Sequence, residues 1–471
     1  MSKRRIGNGD GFRLPRVRII VSHSVRLVFL WLTVVSSVMA DGFRAGTARV
    51  VITPPLPAWL SGYAARTEPA REVLHDLWAK ALALDDGAGG RVVLVTTDLI
   101  GLPRKISQAA AKQIEQKYRL QRSQLLFNSS HTHTGPAVRP NLSVMYNWAP
   151  EYDRISREYA EQLTDALIRV VGDALDSLAP ARLSIGTGTA GFAINRREPT
   201  AGGVRIGVNP NGPVDHDVPV LLVSDSDGKP KVILFAYACH NTTLTAKILQ
   251  VSGDYAGFAQ LEVERRYPGA TAMFMMLCGG DQNPQPRGTL EDGVSHGKEL
   301  SEAVVRTISS DMRVVQPRIR TAFTETRLYF ASHSRDQFEA ELKSGDQFRQ
   351  RRARLMLEAY DRNQPILSLP YPVQAVRLDD RLAILALAGE VVLDYSIRAK
   401  KELPNYGLIV AGYSNEVSCY IPSARVLTEG GYEADESMIY YGLPGPFRAD
   451  VEETIFRAIR QVLDDVGINA R

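Results

Sequence analysis

Short, unbroken apolar runs alternate along this chain with segments of amphipathic, helical period, and that alternation constrains its fold most. The runs are ARVVIT (48–53), RVVLVTTDL (91–99), SQLLFNSS (123–130), VPVLLVS (218–224), KVILFAYA (231–238), TAMFMML (271–277) and LAILALA (382–388). A strand with one wet face alternates apolar with polar residues, whereas an unbroken run has both faces covered. Helical period is read over 104–119, 151–177, 256–267, 291–310, 334–361, 391–403 and 449–466. The pattern predicts an α/β protein of layered mixed β-sheets flanked by helices, with its site at the carboxyl ends of strands. No internal repeat or low-complexity tract interrupts it, so 41–471 reads as one domain. The Gly-rich stretch 201–213 and the segments 362–372 and 433–447 read as loops.

Composition removes other classes. With 44% hydrophobic and 23% charged residues over 471 positions, the chain is globular rather than fibrous or disordered. Its net charge of +4 is concentrated at the start: residues 1–26 hold seven Lys and Arg against Asp10, 27–40 are uncharged, and 41–471 carry −2. No nucleic-acid partner is expected from such a balance. The basic start, the run LVFLWLTVVSSVMA and the triplet Val38-Met39-Ala40 read as a signal peptide over 1–40, cut near Ala40, with export to the periplasm or the exterior. Left uncut, the segment would act as an anchor, although its uncharged part is shorter than the ~20 residues a bilayer needs. Three cysteines (Cys239, Cys278, Cys419) are too few for a disulfide framework and allow at most one bridge.

Polar motifs follow several of the apolar runs. His131 and His133 in NSSHTHTGP (128–136) are two residues apart, so on a continuing strand they share a face. Such a pair suits a metal, and ordinary hydrogen bonding would also satisfy it. His240 ends KVILFAYACH, and Asp281 and Asn283 lie in LCGGDQNPQPRG (277–288). Glu390 closes LAILALAGE, where a buried charge needs a partner. Tyr420 and Tyr432 fall in the stretch 413–437. Two histidines and a glutamate meet the count of a catalytic zinc, which takes three or four protein ligands and keeps a position for water. On these residues alone the chain reads as a metal-dependent hydrolase.

A family resemblance sharpens this reading. SSHTHTGP resembles the SHTHSGP motif of the neutral, non-lysosomal ceramidases, zinc amidases that cleave N-acyl sphingosine. Further echoes keep the family's order: VLHDLWAKALALDDG (73–87) is similar to its GIH segment, AINRRE (193–198) to INRSP, and YACHNTT to the strand of the second zinc histidine. VSGDYAGFA is similar to ISGDNKGYA, AGE (388–390) to PGE, and YIPSARVLTEGGYE to the Tyr-to-Tyr loop ending in YEG. The resemblance implies one zinc ion (Zn2+) per chain on His131, His240, Glu390 and Tyr420. It also implies that His133, Arg196 and Tyr432 surround the substrate's amide and help stabilise it; Asp281, a carboxylate in the tight turn, and Asn283, a donor to a developing oxyanion, complete the expected catalytic set. Whether Arg196 or Arg197 points inward is left open. The implied substrate is a lipid acyl amide, met at a membrane surface by peripheral contact.

Two departures from the family qualify the substrate. GDQNPQ carries Asn283 where the family's GDVSPN has a serine proposed as nucleophile, and an amide side chain cannot be acylated. The family's C-terminal β-sandwich domain has no counterpart before the chain stops. Other acyl amides or esters, such as acylated sugars, and a non-catalytic binding role therefore stand as alternatives.

Overall fold

The computed structural model describes residues 42–146 and 148–469. The signal peptide expected over 1–40 lies outside the described residues.

Two sheets carry the fold. The larger runs edge to edge through Thr271–Met276, Pro230–Tyr237, Asp217–Ser224, Ala179–Thr189, Phe43–Val51, Trp78–Asp85, Arg91–Thr97 and Leu125–Ser129, with Arg313–Val315 beside Ala179–Thr189. Its pairings are antiparallel except at the two edges, where 230–237 runs parallel to 271–276 and 91–97 to 125–129. The smaller sheet is Arg320–Tyr329, Ser368–Asp379, Leu382–Leu387 and Gly407–Ala411, with the last pair parallel.

Strand alternation sorts the apolar side chains into layers. Leu82, Leu84, Leu94, Leu126 and Leu234 of the larger sheet share one core with Val376, Leu382, Ile384 and Ile409 of the smaller. On the opposite face of the larger sheet, Ala81, Val93, Val95 and Phe127 pack against Ile106, Ile114, Leu163 and Leu167 of the helices Arg104–Tyr118 and Pro150–Asp176. Further along that sheet, Phe235 and Phe274 pack against helices Asp254–Arg266 and Leu290–Ile308. The outer face of the smaller sheet, through Ala383 and Leu385, meets Tyr395, Phe456 and Ile459 of helices Asp394–Glu402 and Val451–Asp465. The order is helix, sheet, sheet, helix, which is why both faces of each central strand are apolar. Among the described residues no helix is long and apolar enough to cross a membrane.

The layered mixed fold expected from the alternation is the one observed, with local corrections. The stretch 201–213 is not all loop: Gly203–Asn209 is a strand paired with Ala193–Thr200, and its exposed Ile206 and Val208 lie on one face between glycines that hide the period. The helix expected over 334–361 is two, Arg335–Leu342 and Gln347–Asp361. Asp346 caps the second by accepting from Phe348 N and Arg349 N. Segment 362–372 runs into the strand beginning at Ser368, and 433–447 contains a π-type turn (Tyr432–Glu436) and a short helix (Met438–Tyr441). All three cysteines are buried and unpaired.

Candidate functional site

The strand ending at Ser129 does not continue through the histidine pair. His131 has φ 62, in the left-handed region that a residue with a Cβ adopts only where its surroundings impose it. Its N–H donates to Leu99 O at 2.8 Å, and His133 N–H donates to Asn241 O at 3.1 Å. This turn, rather than strand alternation, brings the two rings together, with centroids 4.8 Å apart. Beneath it the Asn128 side chain donates to Met276 O (3.1 Å) and Gly412 O (2.8 Å) and accepts from Met276 N (2.8 Å), joining three strand ends. His240 follows Pro230–Tyr237, and Glu390 follows Leu382–Leu387. Glu390 stands opposite Tyr420 in a two-residue parallel pairing. Gly389, at φ +79, permits that pairing, since a Cβ there would lie 2.7 Å from Cys419 O.

Backbone carbonyls set the tautomers of two imidazoles. His131 Nδ1 is 2.6 Å from Ile100 O and His240 Nδ1 is 2.8 Å from Gly279 O. A carbonyl only accepts, so each Nδ1 carries the proton and each Nε2 turns a lone pair inward. Tyr420 O–H can satisfy the His240 lone pair (3.0 Å), and His133 Nε2 lies 3.1 Å from that of His131. Glu390 Oε2 nevertheless lies 2.9 Å from His131 Nε2 and 3.0 Å from His240 Nε2, an acceptor facing two acceptors.

Burial, reinforced by the Arg196 charge, pushes the His240 imidazole down to about 3, so its Nε2 stays unprotonated near neutral pH. A cation among these atoms removes the conflict, and the nitrogen and oxygen donors with Nδ1–H groups on carbonyls are those of a zinc site. The residues present therefore fit a metal. The ligating atoms of His131, His133 and His240 lie within 4.8 Å of one another, which offers a second donor set. Glu390 Oε2 touches both His131 and His240, whereas His133 Nε2 reaches only His131, so the set with Glu390 converges better.

Around this cluster the arginine ambiguity resolves. Arg196 donates from Nη2 to Tyr420 Oη at 2.9 Å, from Nε to Glu433 Oε1 at 2.7 Å and from Nη1 to Asn283 Oδ1 at 3.4 Å. Arg197 turns outward to Glu433, Glu429 and Gly430 O. Tyr432 stands 5.4 Å from the Tyr420 ring, and Arg196 lies over both rings. Asp281 is set apart: Oδ1 accepts from Leu393 N (2.9 Å) and Oδ2 from Asn195 Nδ2 (3.2 Å), while its own carbonyl accepts from Arg196 N (2.9 Å). Its carboxylate anchors Leu393 N and the Asn195 side chain, and its backbone carbonyl holds Arg196. Asn283 is held by the pairing of Gln282–Pro284 with Ala193–Asn195, which sets it near Arg196.

Four neighbours were not legible as site residues. Glu433 bridges Arg196 and Arg197, and its place directly after Tyr432 was the available signal. Tyr441 donates to Glu390 Oε1. The Tyr413 ring lies 4.5 Å from that of His131, with its buried hydroxyl unpartnered. Gly62, at φ +86, closes over His133, whose Nδ1 is also unpartnered. Burial, then the neighbouring His131 and His240, pushes His133 well below the usual imidazole range.

With the geometry described, comparison with known proteins gives one family. The model described as "Neutral/alkaline non-lysosomal ceramidase, N-terminal" matches residues 43–325. The neutral ceramidase of Pseudomonas aeruginosa is 24% identical over 261 residues, 51% of this chain and 37% of that protein. Neutral ceramidase A of Dictyostelium discoideum is 23% identical over 274 residues, 54% of this chain and 37% of that one. The alignments thus span well under half the length of these relatives. The crystal structure of the Pseudomonas aeruginosa neutral ceramidase superposes with a TM-score of 0.69 at 18% identity, covering 92% of this chain and 76% of that one. A ceramidase complexed with C2 superposes with a TM-score of 0.70 at 17% identity over the same shares. These structures share the fold.

Proposed function

Because the chain belongs to the neutral/alkaline non-lysosomal ceramidase family, we propose that it is an exported zinc-dependent hydrolase cleaving the amide bond of an N-acylated, ceramide-like lipid. The observation that carries this is the carboxylate of Glu390 set against two inward imidazole lone pairs, an arrangement that calls for a cation. His131, His240, Glu390 and Tyr420 would hold one zinc ion per chain. A zinc ion so held supplies Lewis acidity and a water of lowered pKa.

The other roles belong to the chain itself. His133, neutral and facing the cluster through Nε2, takes a proton from the attacking water and delivers it to the amide nitrogen as the C–N bond breaks. Arg196 and Tyr432 stabilise the charge that develops on the acyl oxygen, and Asn283 adds a polar contact beside Arg196. Asp281 acts from behind by fixing the Arg196 backbone. Asn283 offers no hydroxyl for acylation, which favours direct attack by water. It also keeps open a second reading, an acyl hydrolase on a different amide or ester such as an acylated sugar. The substrate is taken from a membrane surface by peripheral contact.

The test is turnover by the purified, zinc-loaded chain on a fluorescent short-chain ceramide and, in parallel, on N-acyl sugars. The proposal expects ceramide cleavage that is lost in His131→Ala. Cleavage of the sugar alone would select the second reading, and no turnover on either substrate would contradict both.

A further inference from the structure

The two oxygens of Glu390 have different partners. Oε2 faces His131 Nε2 at 2.9 Å and His240 Nε2 at 3.0 Å, while Oε1 accepts the hydroxyl hydrogen of Tyr441. Among the described residues no other donor reaches Oε1. A carboxylate can bind a metal through one oxygen or both, and a four-coordinate zinc site already supplied by three other side chains has room for one. A buried carboxylate oxygen without a donor is also costly, so something must satisfy the one left over.

We infer that Tyr441 is the positioning residue of the metal site: its hydroxyl takes the outer oxygen of Glu390 and leaves Oε2 as the single oxygen offered to the cluster. This rests on the zinc reading above. The placement of Tyr441 supports it. The residue ends the short helix Met438–Tyr441, whose Met438 is fully buried and which stops at Gly442 (φ +67). The neighbouring Tyr440 ring meets Phe348 of the helix Gln347–Asp361 at 5.4 Å. Arg351 of the same helix donates to Val144 O at 2.9 Å, tying it to the neighbouring loop. Tyr441 is thus carried on a braced element, and its ring lies 6.5 Å from that of Tyr420, the expected fourth ligand. One phenol therefore stands beside two ligands and can fix the angle of the carboxylate between them.

Zinc affinity of the full-length chain, measured by competition with a chromophoric chelator, tests the assignment, alongside urea denaturation of the metal-free protein. Tyr441→Phe is expected to weaken zinc binding about 10- to 100-fold, the usual effect of removing a partner of a metal ligand, while the metal-free protein keeps a cooperative unfolding transition at a somewhat lower urea midpoint, since Glu390 Oε1 loses its donor. Tyr440→Phe, which changes the neighbouring phenol on the same helix, is expected to bind as the parent does. Affinity of Tyr441→Phe within about twofold of the parent would overturn the assignment, as would an equal loss in Tyr440→Phe. A parent chain that binds no zinc would be seen in the same titration and would overturn the metal-site reading together with this inference.

Discussion

At the scale of single residues, the site is organised by unpaired acceptors. The Nδ1–H groups of His131 and His240 are committed to carbonyls, so their lone pairs have no choice but to face Glu390. Among the described residues, Arg196 is the one cation at hydrogen-bond distance from Tyr420, and Glu433 pairs with both it and Arg197. Lysine at position 196 keeps the charge but cannot reach Tyr420, Glu433 and Asn283 at once. Arg196→Lys is expected to lower kcat about 100-fold, the scale of losing one donor to a developing oxyanion, while zinc content measured by elemental analysis stays at the parent level. Legibility at this scale depended on motif. His131, His240, Glu390 and Tyr420 lie in runs whose order resembles a family, whereas Tyr441 lies in a stretch with no pattern of its own and meets Glu390 only through the fold.

At the scale of elements, the left-handed turn at His131 and the loop at Gly62 form one unit. A Cβ at Gly62 would stand 2.2 Å from His133 Nδ1 and would also have to accept φ +86. Gly62→Ala is expected to cost about 1–3 kcal/mol, read by urea denaturation, and to reduce kcat through a displaced His133 more than it raises KM. Elements bounded by strong punctuation were readable, such as the helix Leu290–Ile308 behind its Thr289 cap. The misread ones had their signal diluted: glycines break the period of Gly203–Asn209, and Lys343 to Asp346 divide what reads as one long amphipathic helix.

At the scale of the whole molecule, the two sheets share a core that is built without the cluster. Ile384, fully buried between the sheets, is part of it. Ile384→Ala is expected to destabilise the chain by about 2–5 kcal/mol, while zinc affinity, measured well below the unfolding transition, is unchanged. For the same reason the chelated protein should keep its circular dichroism spectrum, and zinc at 100 times its Kd should add only ~2.7 kcal/mol by mass action. The layer order was legible because burial on both faces removes polar residues from strands; the pairing order was not, since unbroken apolar runs carry no register. The zinc reading requires four side chains from separate strand ends to hold one ion. Elemental analysis of the purified full-length chain and of Glu390→Ala tests it most directly. About one zinc per chain in the parent, lost or greatly reduced in the variant, is the predicted result; a parent without tightly bound metal, or a variant that keeps it in full, would contradict the account.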